Sequence, residues 1–181
     1  MSEELLNTKV VTGKVRFSYL HVWEPVAIEE GQDKKYSVSL IIPKSDKETI
    51  AKIKKAIENA KELGKVKLGG KITPNLKQPL RDGDIDRADD ENYADSYFLN
   101  ANCKTKPGVV DKNVSPILDQ DELYSGCYGR ASITFYAFNT SGNKGIACGL
   151  NNLQKLSDGE PLGGRSTAES DFGKVDDDDL M

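Results

Sequence analysis

The chain has 181 residues, of which 37% are hydrophobic and 30% are charged, so its composition suits one globular domain with long polar connections. No apolar run approaches the roughly 18 residues that a membrane-spanning helix needs, and the first residues resemble no signal peptide. We therefore expect a cytoplasmic protein. Its three cysteines lack a CxxC pair and its single histidine is His21, which argues against a disulfide framework and a zinc site.

The first part of the chain predicts two strands followed by a helix. Alternating side chains at residues 11–23 predict a long strand that ends at Pro25, and residues 36–42 predict a second strand. Ser45 has the character of a helix-starting residue, an apolar stripe with a spacing of three or four follows, and Gly64 is placed to end the helix.

Two oppositely charged segments follow one another in the middle of the chain. Residues 44–77 hold ten lysines against four acids, and residues 65–73 predict a short hairpin within them. Residues 82–91 hold six acids. Their Asp-x-Asp-x-Asp pattern resembles a calcium loop, but Arg87 stands where that loop needs glycine, so we expect a solvated acidic loop instead.

The second half of the chain predicts more strands and few helices. Alternation at residues 93–103, 127–138 and 146–156 indicates strands, and turn-forming residues at 139–145 indicate a loop. Five or six strands with one inserted helix fit a small closed or partly closed barrel, because closure removes the exposed strand edges. The predicted fold class is therefore mainly β.

The sequence indicates binding rather than catalysis. It contains no phosphate-binding P-loop and no Gly-x-Ser-x-Gly nucleophile motif, and His21 is the only histidine. The acids cluster in one loop and one tail, whereas a metal nuclease would hold them on rigid strands. We expect no cofactor and no metal. An enzyme, if present, would be a metal nuclease built on residues 82–90.

Cations and aromatic residues interleave on the predicted strands, which is the pattern of a protein that holds single-stranded nucleic acid. A cationic groove follows the phosphates, and aromatic rings stack on the bases. Each ring could instead belong to the core, and the lysines could form an ordinary solvated helix face. The candidate DNA-binding residues are Lys14, Arg16, Tyr19, Trp23, Tyr36, Lys52, Lys65, Lys67, Lys71, Lys77, Tyr128, Arg130 and Tyr136.

The last residues carry most of the negative charge of the chain. The net charge is −4, and residues 169–181 alone hold six acids against one lysine. Such a segment cannot bury enough apolar surface to order itself, so we expect domain 1–164 to be followed by a disordered acidic tail, 165–181. A tethered polyanion would compete with DNA for the cationic groove. The tail residues expected to bind partners are Asp176, Asp177, Asp178, Asp179, Leu180 and Met181.

Five motifs together resemble a known family over nearly the whole chain. They are VRFSYLHVWEP at 15–25, KYSVSLIIPKS at 35–45, LRDGD at 80–84, YSGCY at 124–128 and GNKG at 142–145. The set resembles the phage and prophage single-stranded DNA-binding proteins that were long catalogued as a domain of unknown function. This resemblance implies an OB fold, a role in phage DNA replication or recombination in the bacterial cytoplasm, and an acidic C-terminal tail that tunes binding. The Leu-Met ending differs from the Pro-Phe or lone Phe of better-known tails.

The combined hypothesis is a protein that binds and protects single-stranded DNA without strong sequence preference. Its expected partners are single-stranded DNA, double-stranded DNA more weakly, replication or recombination proteins that contact the tail, and a second copy in a homodimer. The alternative is a non-catalytic phage interaction or structural component whose tail only makes it soluble.

Overall fold

The computed structural model describes residues 7–27, 31, 33–70, 76–140 and 143–162. These residues form a mainly β structure with one long helix. The strands are β1 (Lys9–Val11), β2 (Val15–Val26), β3 (Lys35–Pro43), β4 (Arg81–Asp82), β5 (Ser96–Cys103), β6 (Gly108–Val110), β7 (Tyr128–Thr140) and β8 (Asn143–Ser157), and the helices are α1 (Lys47–Leu63) and the short α2 (Gly83–Asp86).

Five of the strands close into a barrel. Neighbours pair in the order β7, β2, β3, β5, β8 and back to β7. All of these pairs are antiparallel except β5 with β8, which are parallel where Asn102 faces Gly149. This is a five-stranded OB-type barrel with α1 inserted between its second and third strands, which confirms the predicted fold class. Strands β1, β6 and β4 extend it by pairing with β7, β8 and β5.

The barrel interior is filled by the inward side chains of the long strands. Phe17, Leu40, Leu99, Ile133 and Phe135 are all buried there, and the predicted alternation of β7 is confirmed along its length. Since successive side chains of a strand point to opposite faces, the other parity of the same strands forms the outer surface of the barrel.

The first predicted strand is interrupted twice, so its predicted single face is wrong. Residues 12–14 separate β1 from β2, and Val11 is 45% exposed. The β2–β3 register shifts between Ser18 and His21, where Tyr19 has a φ of 46° and is 59% exposed. A bulge of this kind moves a side chain to the other face. Pro25 also lies within β2 and does not end it.

Helix α1 follows the predicted stripe with a corrected start. Its N-cap is Asp46, not Ser45, because the Asp46 carboxylate accepts the backbone N–H of Thr49. Ile53 and Ile57 are buried against the barrel. Gly64 ends the helix as predicted, and a side chain at this position would collide with Ala137.

The turn regions also differ from the sequence prediction. Strands β7 and β8 run to Thr140 and from Asn143, so the predicted loop at 139–145 is mostly a long hairpin. Residues 64–69 form turns rather than the first strand of a hairpin, and residues 71–75 lie outside the described part of the chain. Among the helices of the described residues, none has the length and apolar character needed to cross a membrane.

Candidate nucleic-acid interface

A row of mostly neutral polar residues crosses the outside of the barrel. The pairing register places one outward residue of each successive strand side by side, and the sequence neighbours Val38, Ala101 and Ile133 point inward and are buried. We call this row the polar band. Its members, in spatial order, are His21, Ser37, Asn102, Gly149, Thr134 and Lys9.

Tyr136 provides an aromatic ring beside the polar band. It points outward from β7, is 45% exposed, and has Cε1 only 3.6 Å from the position that a Cβ of Gly149 would occupy. The ring therefore lies over the backbone of Gly149 at ordinary van der Waals distance. Partial burial raises the pKa of the Tyr136 hydroxyl, so the ring stays neutral at physiological pH. A neutral exposed ring beside hydrogen-bonding groups suits base stacking.

A β-bulge adds a further polar side chain at this point. The β7–β8 register shifts at Asn151, whose amide Nδ2 donates to the Thr134 hydroxyl at 2.9 Å and lies 3.5 Å from the Ser132 hydroxyl. These contacts fix the amide orientation. The outer surface therefore presents preset donors and acceptors next to Tyr136.

One end of the barrel combines aromatic residues with cations. Trp23 is half-buried, its indole N–H donates to the Leu123 carbonyl at 3.0 Å, and Lys106 Nζ lies 5.2 Å from its ring centroid. Tyr36 pairs with Cys103 in the register at the ends of β3 and β5. Four lysines that the sequence analysis did not select flank these strand ends: Lys34, Lys35, Lys104 and Lys106. The sequence feature that could have indicated them is the occurrence of lysines in pairs next to predicted strand ends, as Lys34-Lys35 and Lys104-Thr-Lys106.

Three of the predicted lysines gather near the tip of the β7–β8 hairpin. Lys65, Lys67 and Lys77 are exposed. The backbone of Lys77 bridges to Gly145, and the Asn139 amide donates to the Lys67 carbonyl at 3.2 Å. This places the three cations beside the polar band, beyond Tyr136 in the direction of the hairpin tip. Lys71 lies outside the described residues.

Lys14, Arg16 and Tyr128 form a separate cluster. Lys14 Nζ and Arg16 Cζ lie 5.2 and 5.3 Å from the centroid of the Tyr128 ring. The Arg16 guanidinium also donates to the carbonyls of Gly126 at 3.2 Å and Glu160 at 2.8 Å. These contacts anchor the chain that leaves β8, and both ring and guanidinium are already engaged within the protein.

The remaining predicted cations lie on the β1 side of the barrel. Lys52 is exposed on α1 and borders a cavity of about 450 Å³ that Lys9 and Lys55 also line. Arg130 points outward from β7, and its Nε donates to Gln154 Oε1 at 3.0 Å. The predicted site residues are thus distributed among several surface regions, which the polar band partly connects.

Residues 82–91, which we call the acidic segment, lie over the half of the β3–β5 outer surface that is away from the polar band. Tyr93, which follows this segment, packs with Ile41 and Phe98 in a second small core, and its hydroxyl lies 3.2 Å from that of Ser39. Lys44 holds the segment through Asp82 at 3.0 Å and Asp84 at 2.7 Å. The hydrogen bond from Lys44, with a second from the Asp95 backbone, lowers the pKa of Asp84.

Tyr19 stands where this acidic segment meets the polar band. It lines a concave surface of about 440 Å³ together with His21, Asp90 and Leu162. The backbone N–H of Leu162 donates to the Ser125 carbonyl at 2.9 Å, and its side chain packs on the second core. The chain therefore leaves the described structure beside the His21 end of the polar band.

The described residues contain no group of three or more side chains suited to hold a metal ion.

An OB-type barrel whose outer surface combines neutral hydrogen-bond donors, an exposed aromatic ring and flanking lysines is typical of nucleic-acid-binding proteins. The family model described as "Enterobacter phage Enc34, ssDNA-binding protein" matches residues 8–181. The chain belongs to this family, which is one of binding proteins rather than enzymes, and the resemblance seen in the sequence is confirmed.

Individual relatives agree with this assignment. Protein p50 of Acyrthosiphon pisum secondary endosymbiont phage 1 is 33% identical over 168 residues, which cover 88% of this chain and 89% of p50. The structure of the single-stranded DNA-binding protein from bacteriophage Enc34 in complex with ssDNA superposes with a TM-score of 0.75 at 27% identity, covering 86% of this chain and 90% of that one. Bacteriophage T7 gp2.5, a single-stranded DNA-binding protein, gives a TM-score of 0.60 at 14% identity over 92% of this chain and 98% of its own, which supports the fold alone.

Proposed function

We propose that this chain binds and protects single-stranded DNA without strong sequence preference, along the polar band. The observation that carries the proposal is Tyr136, a neutral exposed ring held against Gly149 within a row of polar side chains on an OB-type barrel. The Enc34 relative, whose structure was determined with ssDNA, supports the same ligand. The role we propose is in phage DNA replication or recombination in the cytoplasm of the bacterial host.

Lysines on two sides of the polar band would hold the phosphates. Lys106 lies over the Trp23 ring at one barrel end, with Lys104 two residues before it, and Lys67 and Lys77 lie beyond Tyr136 near the tip of the β7–β8 hairpin. Contacts of this kind are electrostatic and independent of sequence, so affinity should fall as salt rises. Phosphate contacts also allow weaker binding of double-stranded DNA. The predicted residues Tyr19, at the bulge of β2, and Tyr36, at the start of β3, would add aromatic contacts.

We further propose that the acidic tail competes with DNA and recruits replication or recombination proteins. The described residues end at Leu162, beside the His21 end of the polar band, so the segment that follows is tethered beside the proposed DNA surface. Tethering by a short flexible linker gives an effective concentration in the millimolar range. The tail prediction itself concerns residues outside those that the structure describes.

Fluorescence titration with oligo-dT tests the proposal, using Trp23 as the natural reporter. We expect binding by the full chain at low salt, weaker binding at higher salt, and tighter binding by a variant whose Asp176–Asp179 are replaced by Asn. If neither protein binds oligo-dT at low salt, the DNA function is wrong, and the alternative of an interaction or structural component with a merely solubilising tail gains support.

A further inference from the structure

The surfaces beside the two ends of the polar band differ in charge. Beside the His21 end lies a broad concave surface whose lining includes Tyr19, Ile85, Asp86, Asp89, Asp90 and Glu91. Beside the Lys9 end lies a groove of about 450 Å³ between β1 and α1, whose lining includes Lys9, Val11, Lys52 and Lys55. We call them the Tyr19 surface and the lysine groove. The polar band thus runs from an acidic surface to a basic one.

The two surfaces lie towards opposite ends of the barrel. Arg16 pairs with Tyr128, the first residue of β7, and β2 continues from there to His21, away from the rest of β7. Strand β1 instead pairs with residues 132–134, further along β7 in the other direction. Copies that bind one strand with the same polarity therefore turn the Tyr19 surface of one towards the lysine groove of the next.

The lysine groove is a preformed recess with fixed walls. The Asn59 amide donates to the Asn7 carbonyl at 2.8 Å, and the Thr49 hydroxyl accepts the backbone N–H of Gly13 at 2.9 Å. Helix α1 thus holds the chain on both sides of β1. Val11 lines the groove and is 45% exposed. Because the walls are already in place, a bound surface does not have to order them.

Neither surface is neutralised from within. The described lining of the lysine groove contains no acid, and its one described ion pair joins Lys52 to Glu48 at 3.5 Å on the exposed helix surface. On the Tyr19 surface, three acids form no ion pair with the other described residues: Asp89, Asp90 and Glu91. Both surfaces therefore keep an uncompensated charge, and the two charges are opposite.

Each surface also exposes apolar side chains among its charges. Ile85 is 75% exposed on the Tyr19 surface, and the Tyr19 ring stands out from the bulge of β2, where the backbone φ is 46°. Val11 is the exposed apolar residue of the lysine groove. Exposed apolar side chains surrounded by complementary charges favour a specific contact between two proteins.

We propose that the lysine groove binds the Tyr19 surface of a second copy of this chain, so that successive copies on one DNA strand contact each other head to tail. The proposal rests on the proposed function, because the shared strand brings the two surfaces together. A contact between two different surfaces is heterologous and leaves one free surface of each kind for the next copy. Cooperative binding is common among proteins that coat single strands, and the opposite charges here assign it to two particular surfaces.

The first experiment measures how one bound copy affects the binding of the next. Native mass spectrometry of oligo-dT complexes defines a length that holds one copy and a length that holds two. Titrations at both lengths then give the ratio of second-copy to first-copy affinity. We expect a ratio of about five or more, the lower end of the usual coupling between two binding events, and a decline towards one at high salt. A ratio of one at low salt would overturn the proposal.

Charge reversal identifies the two surfaces. Lys52→Glu/Lys55→Glu and Asp89→Lys/Glu91→Lys should each bring the ratio close to one, whatever the absolute affinity of the variant. The chain with all four substitutions should recover the ratio, because opposite charges then face each other again. If the ratio is not recovered, the lysines act on the DNA and not on a second copy, and the proposal is wrong.

Two matched controls make the same charge changes elsewhere on the exposed surface. Lys47→Glu/Lys54→Glu lies on α1 outside the lining of the lysine groove, and Asp121→Lys/Glu122→Lys lies in the segment before β7. Both should keep the ratio of the unchanged chain. A loss as large as that of the groove variant would show that the net charge of the chain, and not a contact between two surfaces, sets the ratio.

The second experiment needs no DNA. With neighbours at a millimolar effective concentration, a fivefold ratio corresponds to a Kd of roughly 0.2–1 mM between free copies. Backbone amide shifts of the full chain should therefore change between about 0.05 and 1 mM protein at low salt, at Lys52 and Lys55 together with Asp89 and Glu91. Changes on one surface alone, or no changes, would overturn the proposal.

The same titration separates the second copy from another acidic occupant of the groove. A chain with Asp176–Asp179 replaced by Asn should show the same concentration-dependent changes on both surfaces. Loss of the changes would assign the lysine groove to that acidic run and contradict the head-to-tail contact. Failure of the unchanged chain to bind oligo-dT would instead contradict the DNA function, and the amide shifts would still decide whether the two surfaces bind each other.

Discussion

The outer surface of the β3–β5 pair has two halves, one open to solvent and one covered by another segment of the chain. Towards one end, Ser37 and Asn102 face outward in the open polar band. Towards the other, Ile41 and Phe98 face outward on the same strands but are buried under Tyr93. The backbone pairing is continuous through both halves, so the outward side chains decide which half becomes a second core and which half can receive a ligand.

Truncation of the covered half should have the largest effect, and it should act on stability. Phe98 is fully buried and meets the Tyr93 ring edge-on, with centroids 5.1 Å apart. We expect Phe98→Ala to lower the free energy of unfolding by about 3–5 kcal/mol, as for other buried aromatic residues. Urea unfolding measures it, with Asn102→Ala in the open half as the comparison. Equal losses for the two variants would show that the two halves do not differ.

Removal of the ring from the open half should act on DNA affinity. A stacked base contributes roughly 1–3 kcal/mol, so Tyr136→Leu should weaken oligo-dT binding by about 5- to 150-fold. Tyr136→Phe keeps the ring and should bind nearly as the unchanged chain does. Fluorescence titration checks both, and a comparable loss in the Phe variant would mean that the hydroxyl, not stacking, matters.

The lysines that flank the open half should affect affinity less, and in a salt-dependent way. If Lys104 and Lys106 each neutralise one phosphate, Lys104→Gln/Lys106→Gln should reduce the slope of log K against log salt by about 1.4, since single strands give ~0.7 per contact. Lys112→Gln, on the exposed loop that follows β6, is the control. An unchanged slope in the double variant would exclude these lysines from the DNA path.

The smallest expected effect concerns the ion pair that holds the acidic segment over the covered half. The hydrogen bond from Lys44 lowers the pKa of Asp84 in the folded chain below its ordinary value of 3.8. The stabilisation by the ionised Asp84 carboxylate is therefore complete above the ordinary pKa and is lost as the pH falls through the lower pKa of the folded state. Asp84→Asn should lower Tm at pH 7, and the difference should shrink below about pH 4. A difference that stays constant into acid would show that the effect does not depend on ionisation of the Asp84 carboxylate.

Much of the barrel could be predicted because its long strands alternate without interruption. Residues 127–138 and 36–42 have one apolar parity each, and both became strands with that parity buried. Prediction failed where local geometry overrides the pattern. The bulge at Tyr19 reverses the face of β2, and nothing in the alternating pattern marks it. The second core around Ile41 and Phe98 was not predicted either. Apolar residues on the outer face of a strand do not show, in the sequence, whether another segment will cover them.

The candidate site was predictable in its chemistry but not in its assembly. Exposed Tyr136 and the lysines at 65, 67 and 77 were predicted from the sequence, and the structure brings them together along the β7–β8 hairpin beside the polar band. The band itself was missed, since Ser37, Asn102 and Thr134 are unremarkable alone and become neighbours only through pairing across strands. Conversely, Arg16 looked available in the sequence, although its guanidinium is bonded to two backbone carbonyls.

Under the proposed function, single-stranded DNA follows the polar band. Mapping of backbone amide shifts on addition of a short oligo-dT tests it most directly. We predict the largest changes at Ser37, Asn102, Gly149 and Tyr136, with few changes at Ile41 and Phe98 beneath the acidic segment. Changes concentrated around Arg16 and Tyr128, with the polar band unaffected, would show that the DNA takes a different path.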